Sequence, residues 1–201
     1  MNSETTFRLA FWLLLGLTFL MRIWFVIRVR RAGERLLPDM AAIRREGWRI
    51  YDIRLFVFLL LIALIVLLVR NPSWGPKLRF PLPFWLRWAG IALGLASLGL
   101  WTWTHVALGT LWSAPLQLRT HHRVVTSGPY WRIRHPMYTA FLSWATSLGL
   151  VIANWVAIVF VVWAAVIIVA RVPREEQMML ERFGEEYREY MKKTGRFLPK
   201  W

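Results

Sequence analysis

Residues 137–170 read MYTAFLSWATSLGLVI, then Ala153-Asn154, then WVAIVFVVWAAVIIVA. Two apolar runs of sixteen residues flank one short polar break. A helix needs ~20 residues to cross ~30 Å of hydrocarbon. One helix through both runs is too long for a single crossing, and each run alone is short. The pair predicts a tight helical hairpin whose tip barely leaves the bilayer or locally thins it. Three more apolar runs precede it, Phe7–Val29, Ile53–Val69 and Trp85–Leu108. The fold class is therefore all-α, a polytopic membrane protein of about five transmembrane helices.

Composition agrees. Of 201 residues 57% are hydrophobic, with 14 Trp, more than a soluble domain of this size carries. The apolar residues come in blocks rather than alternating with polar ones. The first six residues lack the basic stretch of a signal peptide, so the run that follows is read as a first transmembrane helix. There is no Cys, hence no thiolate metal site and no Cys nucleophile. The four His (His105, His121, His122, His135) have no HExxH-like pairing, so no metal is expected.

The net charge of +15 would suggest nucleic acid in a soluble protein. Here Arg and Lys sit at membrane edges, where they set topology and meet anionic headgroups, so membrane lipids rather than nucleic acid are the expected partners. Basic residues crowd three segments: Arg28 to Arg54, Arg119 to Arg134, and Arg171 to Lys200. With five spans these segments share one side. The positive-inside rule then puts the N-terminus outside and the C-terminus in the cytoplasm. The opposite side has Arg70, Lys77, Arg79 and Arg87 in one loop.

The connections carry their own signals. Pro38-Asp39 starts a short interfacial helix holding Met40, Ile43 and Trp48. Four prolines between Asn71 and Phe84 predict an irregular loop. After the fifth span Pro173 suits the first turn of a separate soluble helix, with Glu175 and Glu176 favoured there by the helix dipole. Met179, Phe183, Tyr187, Tyr190 and Met191 give that helix one apolar face, Gly184 is a weak point inside it, and Arg196-Phe-Leu-Pro199 follows as an extended strip.

Ionisable groups beside a membrane span are costly, so function is sought where they gather. They gather in His122-Arg-Val-Val-Thr-Ser-Gly-Pro-Tyr130-Trp-Arg-Ile-Arg134-His135-Pro136-Met-Tyr138, and in Arg171-xxx-Glu175-Glu176 at the exit of the fifth span. Topology places both on one side, so together they can build one site. Each piece also has an ordinary explanation. Pro136 suits a helix start, Arg171 a snorkelling flank, and the Glu pair a helix N-terminus. Thr139, Ser143, Thr146 and Ser147 on one face of the fourth span, and Gly90-xxx-Gly94 on the third, fit small-residue helix packing. Trp101 and His105 lie one turn apart and fit an interfacial pair.

In their order these residues resemble the isoprenylcysteine carboxyl methyltransferase family of integral membrane enzymes. The resemblance runs from Gln117 to Pro199: His122-x-Val-Val-Thr-Ser-Gly-x-Tyr130, Arg134-His-Pro-x-Tyr138, a helical hairpin, Arg171-xxx-Glu175-Glu176, Phe183-Gly-Glu-Glu-Tyr187-xx-Tyr190, and a final Phe-Leu-Pro. Residues 1–110 then supply three transmembrane helices with a basic loop, and 111–201 the catalytic region. The resemblance implies a methyltransferase that uses S-adenosyl-L-methionine and releases S-adenosyl-L-homocysteine. It implies cofactor contacts from Gln117, His122, Arg123, Val124, Val125, Gly128, Tyr130, Arg134, His135, Pro136, Met137, Tyr138, Glu175 and Glu176. Arg171 would bind the acceptor's carboxylate and, with Glu175, carry catalysis. No GxGxxG follows a strand, so a Rossmann-type cofactor site is not available. Two departures stand out: Ala140 where many relatives have Gly, and Thr194-Gly195-Arg196 before the final Pro.

The implied acceptor is a prenylcysteine-like or other lipid-like carboxylate. A phospholipid N-methyltransferase-like enzyme has a similar layout, and a sterol-type NADPH-dependent reductase carries a similar Arg-His-Pro-x-Tyr element. Nothing in the sequence sets an oligomeric state.

Overall fold

The structure, a computed structural model, describes residues 3–31, 48–70, 73, 75–109 and 124–200. They form six α-helices: α1 Ser3–Arg31, α2 Trp48–Arg70, α3 Phe84–Leu108, α4 Pro136–Ile152, α5 Trp155–Phe183 and α6 Glu185–Lys193. Two single 3₁₀ turns, Gly75–Leu78 and Gly128–Trp131, complete the described elements. Helices α1, α3 and α5 are long and apolar enough to cross a membrane; Leu55–Arg70 and α4 are shorter apolar helices. Large apolar side chains such as Leu13, Phe19, Leu20 and Val69 face outward, as bilayer solvation requires. The interfacial helix expected around Met40 lies outside the described residues.

The α4–α5 hairpin turns at Ala153 and Asn154. Ala153 adopts a left-handed conformation (φ 48°), and its N–H donates to Gly149 O at 2.9 Å. Asn154 caps α5, its side-chain oxygen accepting from Val156 N at 2.9 Å. The most extensive helix pairing is α3 with α4. Small residues permit it. A Cβ on Gly90 would lie 2.7 Å from Leu150 Cβ, and one on Gly94 would lie 2.8 Å from Leu14 Cδ1 and 2.9 Å from Ser147 Oγ. The Gly90-xxx-Gly94 pattern is helix packing, and Ala140, fully buried, belongs to the same core.

Contacts at one end of the bundle show that the helices alternate in direction. Arg79 pairs with Glu4 at 3.1 Å, Arg8 donates to Leu68 O, and Phe80 N donates to Ala153 O at 3.0 Å. Arg87, expected in a loop, is instead in the first turn of α3. It is buried, pairs with Glu4 and donates from Nε to Val151 O at 2.9 Å. The start of α1, the end of α2, the start of α3 and the hairpin tip thus share one end. The end of α3, the start of α4 and the polar extension of α5 share the other.

The tail departs from expectation. Pro173 does not begin a new helix; α5 continues through it to Phe183. A proline inside a helix removes one N–H, and here the helix runs on because its far half is held by tertiary contacts. The break comes eleven residues later, at Gly184 (φ 52°), whose N–H closes on Leu180 O at 2.8 Å. Few other residues adopt that conformation without strain.

Candidate active site

Helix α5 leaves its apolar stretch at Ala170 and carries Arg171, Glu175 and Glu176 beyond it. Consecutive helical residues point ~100° apart, so the two glutamates face different neighbours. Glu175 turns toward α4: the Tyr138 hydroxyl donates to its Oε2 at 2.8 Å. Arg171, buried and one turn back on α5, brings its Nε to 3.7 Å from the same oxygen. Arg171, Glu175 and Tyr138 thus form one charged, partly covered cluster at the mouth of the helix bundle.

Glu176 is 3% exposed and is fully engaged. Its Oε1 accepts from Arg134 Nε at 3.0 Å and Arg196 Nε at 3.2 Å, and lies 3.3 Å from His135 Nε2; its Oε2 pairs with the far nitrogen of Arg196. Burial alone would raise its pKa, but the hydrogen bonds from His135, Arg196 and Arg134 outweigh that and hold the carboxyl down at about 2. In turn Glu176 raises the pKa of Arg196.

Around Glu176 the chain termini of three elements are tied together. Arg134 N donates to Gly195 O at 2.8 Å, His135 N to Arg196 O at 3.0 Å, and Gly195 N to Arg132 O at 3.0 Å. The strip after α6 therefore lies parallel to residues 132–135, bridging Ile133 with Gly195. Arg134 also caps the end of α6, donating to Met191 O at 3.0 Å and to Thr194 O, where a cation suits the helix dipole. Thr139, expected to be a packing residue, donates instead to Phe197 O at 2.6 Å. The tail is thereby laid across the start of α4.

The Gly128–Trp131 turn docks on the end of α3. Gly128 (φ 60°) adopts a left-handed backbone that disfavours a side chain, and a Cβ there would be tight, 3.1 Å from both Ala107 Cβ and Trp103 Nε1. Tyr130 is buried, and its carbonyl accepts from the Tyr190 hydroxyl at 2.6 Å. Burial, then the nearby Glu175 and Tyr190, push the Tyr130 phenol upward. Burial does the same for Tyr187 and Tyr190, so all three phenols stay protonated at neutral pH.

Of the residues singled out from sequence, Gly128, Tyr130, Arg134, His135, Pro136, Met137, Tyr138, Arg171, Glu175 and Glu176 come together at one end of the bundle, with Val124 and Val125 leading into the turn. Gln117, His122 and Arg123 lie outside the described residues. Sequence reasoning missed Arg196, Thr139 and Tyr190 as parts of this end. The terminal Arg-Phe-Leu-Pro strip was the available signal for the first. Among the described residues no His, Asp or Glu group could hold a metal ion.

Fold and site together define a multi-pass, all-α membrane protein with a polar cap built from a helical hairpin and a folded-back tail. Residues 90–181 match the model of the isoprenylcysteine carboxyl methyltransferase (ICMT) family. Protein-S-isoprenylcysteine O-methyltransferase B of Arabidopsis thaliana is 35% identical over 80 residues, 39% of this chain and 41% of that protein. The cobalt-zinc-cadmium resistance protein CzcN of Cupriavidus metallidurans is 30% identical over 117 residues, 57% of this chain and 54% of that protein. A solved structure of the eukaryotic intramembrane Ras methyltransferase ICMT superposes with a TM-score of 0.53 at 24% identity, covering 57% of this chain and 42% of that one. At that identity the likeness is one of fold. The match spans about half the length of these relatives or less.

Proposed function

We propose that this chain is an S-adenosyl-L-methionine-dependent methyltransferase whose acceptor is the carboxylate of a prenylcysteine-like or similar amphiphile drawn from the membrane. The observation that carries the reading is the Arg171–Glu175–Tyr138 cluster. It gathers a buried guanidinium and a phenol on one carboxylate, that of Glu175, where apolar helices meet the polar cap.

These residues suit the cofactor. When bound, S-adenosyl-L-methionine supplies a methyl group already activated by its cationic sulfur. Glu175, positioned by the Tyr138 hydroxyl, offers a carboxylate to the cofactor's positive groups. The turn holding Tyr130, braced by Tyr190, forms a wall for its neutral parts. Arg171 orients the acceptor carboxylate. That group is ionised at neutral pH, so no strong general base is needed and positioning carries the rate. The same guanidinium opposes a protonated lipid amine, which favours a carboxylate acceptor over an amine. The folded-back tail covers the start of α4 and keeps water from the cluster. Residues 1–110 serve as the membrane base and 111–201 as the catalytic region. The site faces the cytoplasm, because Arg28, Arg30 and Arg31 at the end of α1 and the basic residues of the tail lie at its end of the bundle.

The test is calorimetric titration of detergent-purified protein with S-adenosyl-L-homocysteine, paired with radiolabelled methyl transfer to a farnesylcysteine analogue and to phosphatidylethanolamine. Binding of S-adenosyl-L-homocysteine with transfer to the carboxylate acceptor is expected. Absence of binding defeats the cofactor assignment, and transfer to the amine alone defeats the acceptor assignment.

A further inference from the structure

Trp101 on α3 and Trp144 on α4 face each other inside the helix bundle, with ring centroids 5.8 Å apart. They are 7% and 3% exposed, and among the described residues neither indole N–H has a hydrogen-bond partner. Buried polar hydrogens are almost always satisfied, and inside a bilayer no bulk water is at hand. The nearby hydroxyls do not serve them. Thr104 donates to Trp101 O and Ser147 to Trp144 O, both at 2.7 Å, so each hydroxyl is turned to its own backbone. Phenylalanine would fill most of that space with no orphaned donor, so the unpaired N–H groups are a cost that burial of the rings has to offset.

The surroundings point to a ligand. Arg22 of α1 stands 5.9 Å from the Trp101 ring, adding positive potential beside that indole. Phe141 joins both indoles, at 5.7 Å and 5.9 Å. It lies one turn from Tyr138, which holds Glu175. At 1.5 Å per residue, the indoles sit about 5–9 Å deeper in the bundle than Tyr138. That is where the first atoms of an apolar chain would run from a headgroup held at Arg171.

We infer that Trp101 and Trp144 form a second recognition point for the acceptor, donating their indole N–H groups to a hydrogen-bond-accepting heteroatom, an oxygen or a thioether sulfur, where its apolar chain begins. The inference rests on the lipid-like acceptor proposed above. It makes the enzyme selective for how the chain is linked to the headgroup, in addition to chain length and the carboxylate.

The experiment uses three amphiphiles with the same carboxylate headgroup and farnesyl-length chain, joined through a thioether, an ether or a methylene. Each is titrated calorimetrically into the detergent-purified full chain without cofactor. The wild type, Trp101→Phe and Trp144→Phe are compared, with S-adenosyl-L-homocysteine titrated in parallel. The expected result is that the wild type binds one or both heteroatom-linked compounds about fivefold or more tighter than the methylene compound. The Phe variants lose that preference and bind S-adenosyl-L-homocysteine as the wild type does. Comparing thioether with ether identifies the heteroatom. Equal binding of all three by the wild type, a preference that survives in both variants, or no binding of any of them overturns the inference. Loss of S-adenosyl-L-homocysteine binding with the preference intact overturns the methyltransferase reading instead.

Discussion

The guanidinium of Arg196, on the strip after the last helix, grips the carboxylate of Glu176, twenty residues earlier on α5. This pair fastens the tail over the start of α4. Its two members differ sharply in environment, since Glu176 is buried and the Arg196 side chain is 47% exposed. Replacing Glu176 with Ala strands Arg134 and His135, so the fold should lose about 3–5 kcal/mol. Arg196→Ala, at a solvent-exposed partner, should cost about 1 kcal/mol or less. Thermal unfolding in detergent separates the two, and equal losses would refute the hub role of Glu176.

The same carboxylate makes the cap acid-sensitive. Its folded pKa of about 2 lies below the ordinary value of 4.5. A depressed carboxyl pKa contributes stability that is fully present above the unfolded value and is lost as pH falls through the folded one. The contribution of Glu176 should therefore be intact above pH 4.5 and fade between 4.5 and 2. A pH series of melting temperatures for wild type and Glu176→Gln should converge in that window. Curves that stay parallel across it would contradict the assignment.

Tyr138 donates to Glu175 at 2.8 Å without contributing charge of its own. A hydrogen bond to a charged group is worth about 1.5–3 kcal/mol. Tyr138→Phe should thus weaken S-adenosyl-L-homocysteine binding about tenfold or more while leaving the melting temperature nearly unchanged. Unaltered affinity by calorimetry would remove Tyr138 from the cofactor site.

Arg171 should act on the acceptor. Arg171→Lys keeps the charge but loses the planar fork, so it should not restore activity. Transfer to a carboxylate acceptor should fall about 30-fold or more in kcat/KM, with S-adenosyl-L-homocysteine affinity changed far less. Equal damage to both would place Arg171 on the cofactor.

Gly195 pairs in the strip beside residues 132–135, and a Cβ there would fall 1.9 Å from Leu198 O. Backbone cannot yield by that much without undoing the strip. Gly195→Ala should raise protease sensitivity after Lys193 while the spans remain folded by circular dichroism. An unchanged cleavage pattern would count against the folded-back tail.

Much of this was legible in the chain. The two apolar runs around Ala153-Asn154 predict the hairpin because length and hydropathy are local properties. The small residues of α3 predict close packing for the same reason. The tail was less legible. Pro173 carries a helix-start signal, yet α5 runs through it, because contacts from Glu176 to Arg134, His135 and Arg196 hold the far half in register. The adjacent glutamates also read alike in sequence. Only their helical phase sends Glu175 to Tyr138 and Arg171, and Glu176 to the tail clamp.

Local patterns in the chain specify the apolar helices, the hairpin and the resemblance carried by Arg134-His-Pro-x-Tyr138 and Arg171-xxx-Glu175, but not where the tail helices begin and end. Those depend on periodicity, hydropathy and short spacing. Packing of distant segments sets the rest: Arg134 caps α6 through Met191 O, Arg196 closes on Glu176, and two indoles meet in the bundle with no hydrogen-bond partner among the described residues. Their partners lie tens of residues away, and no local pattern of charge or apolarity specifies which distant groups a packed bundle brings within hydrogen-bonding reach.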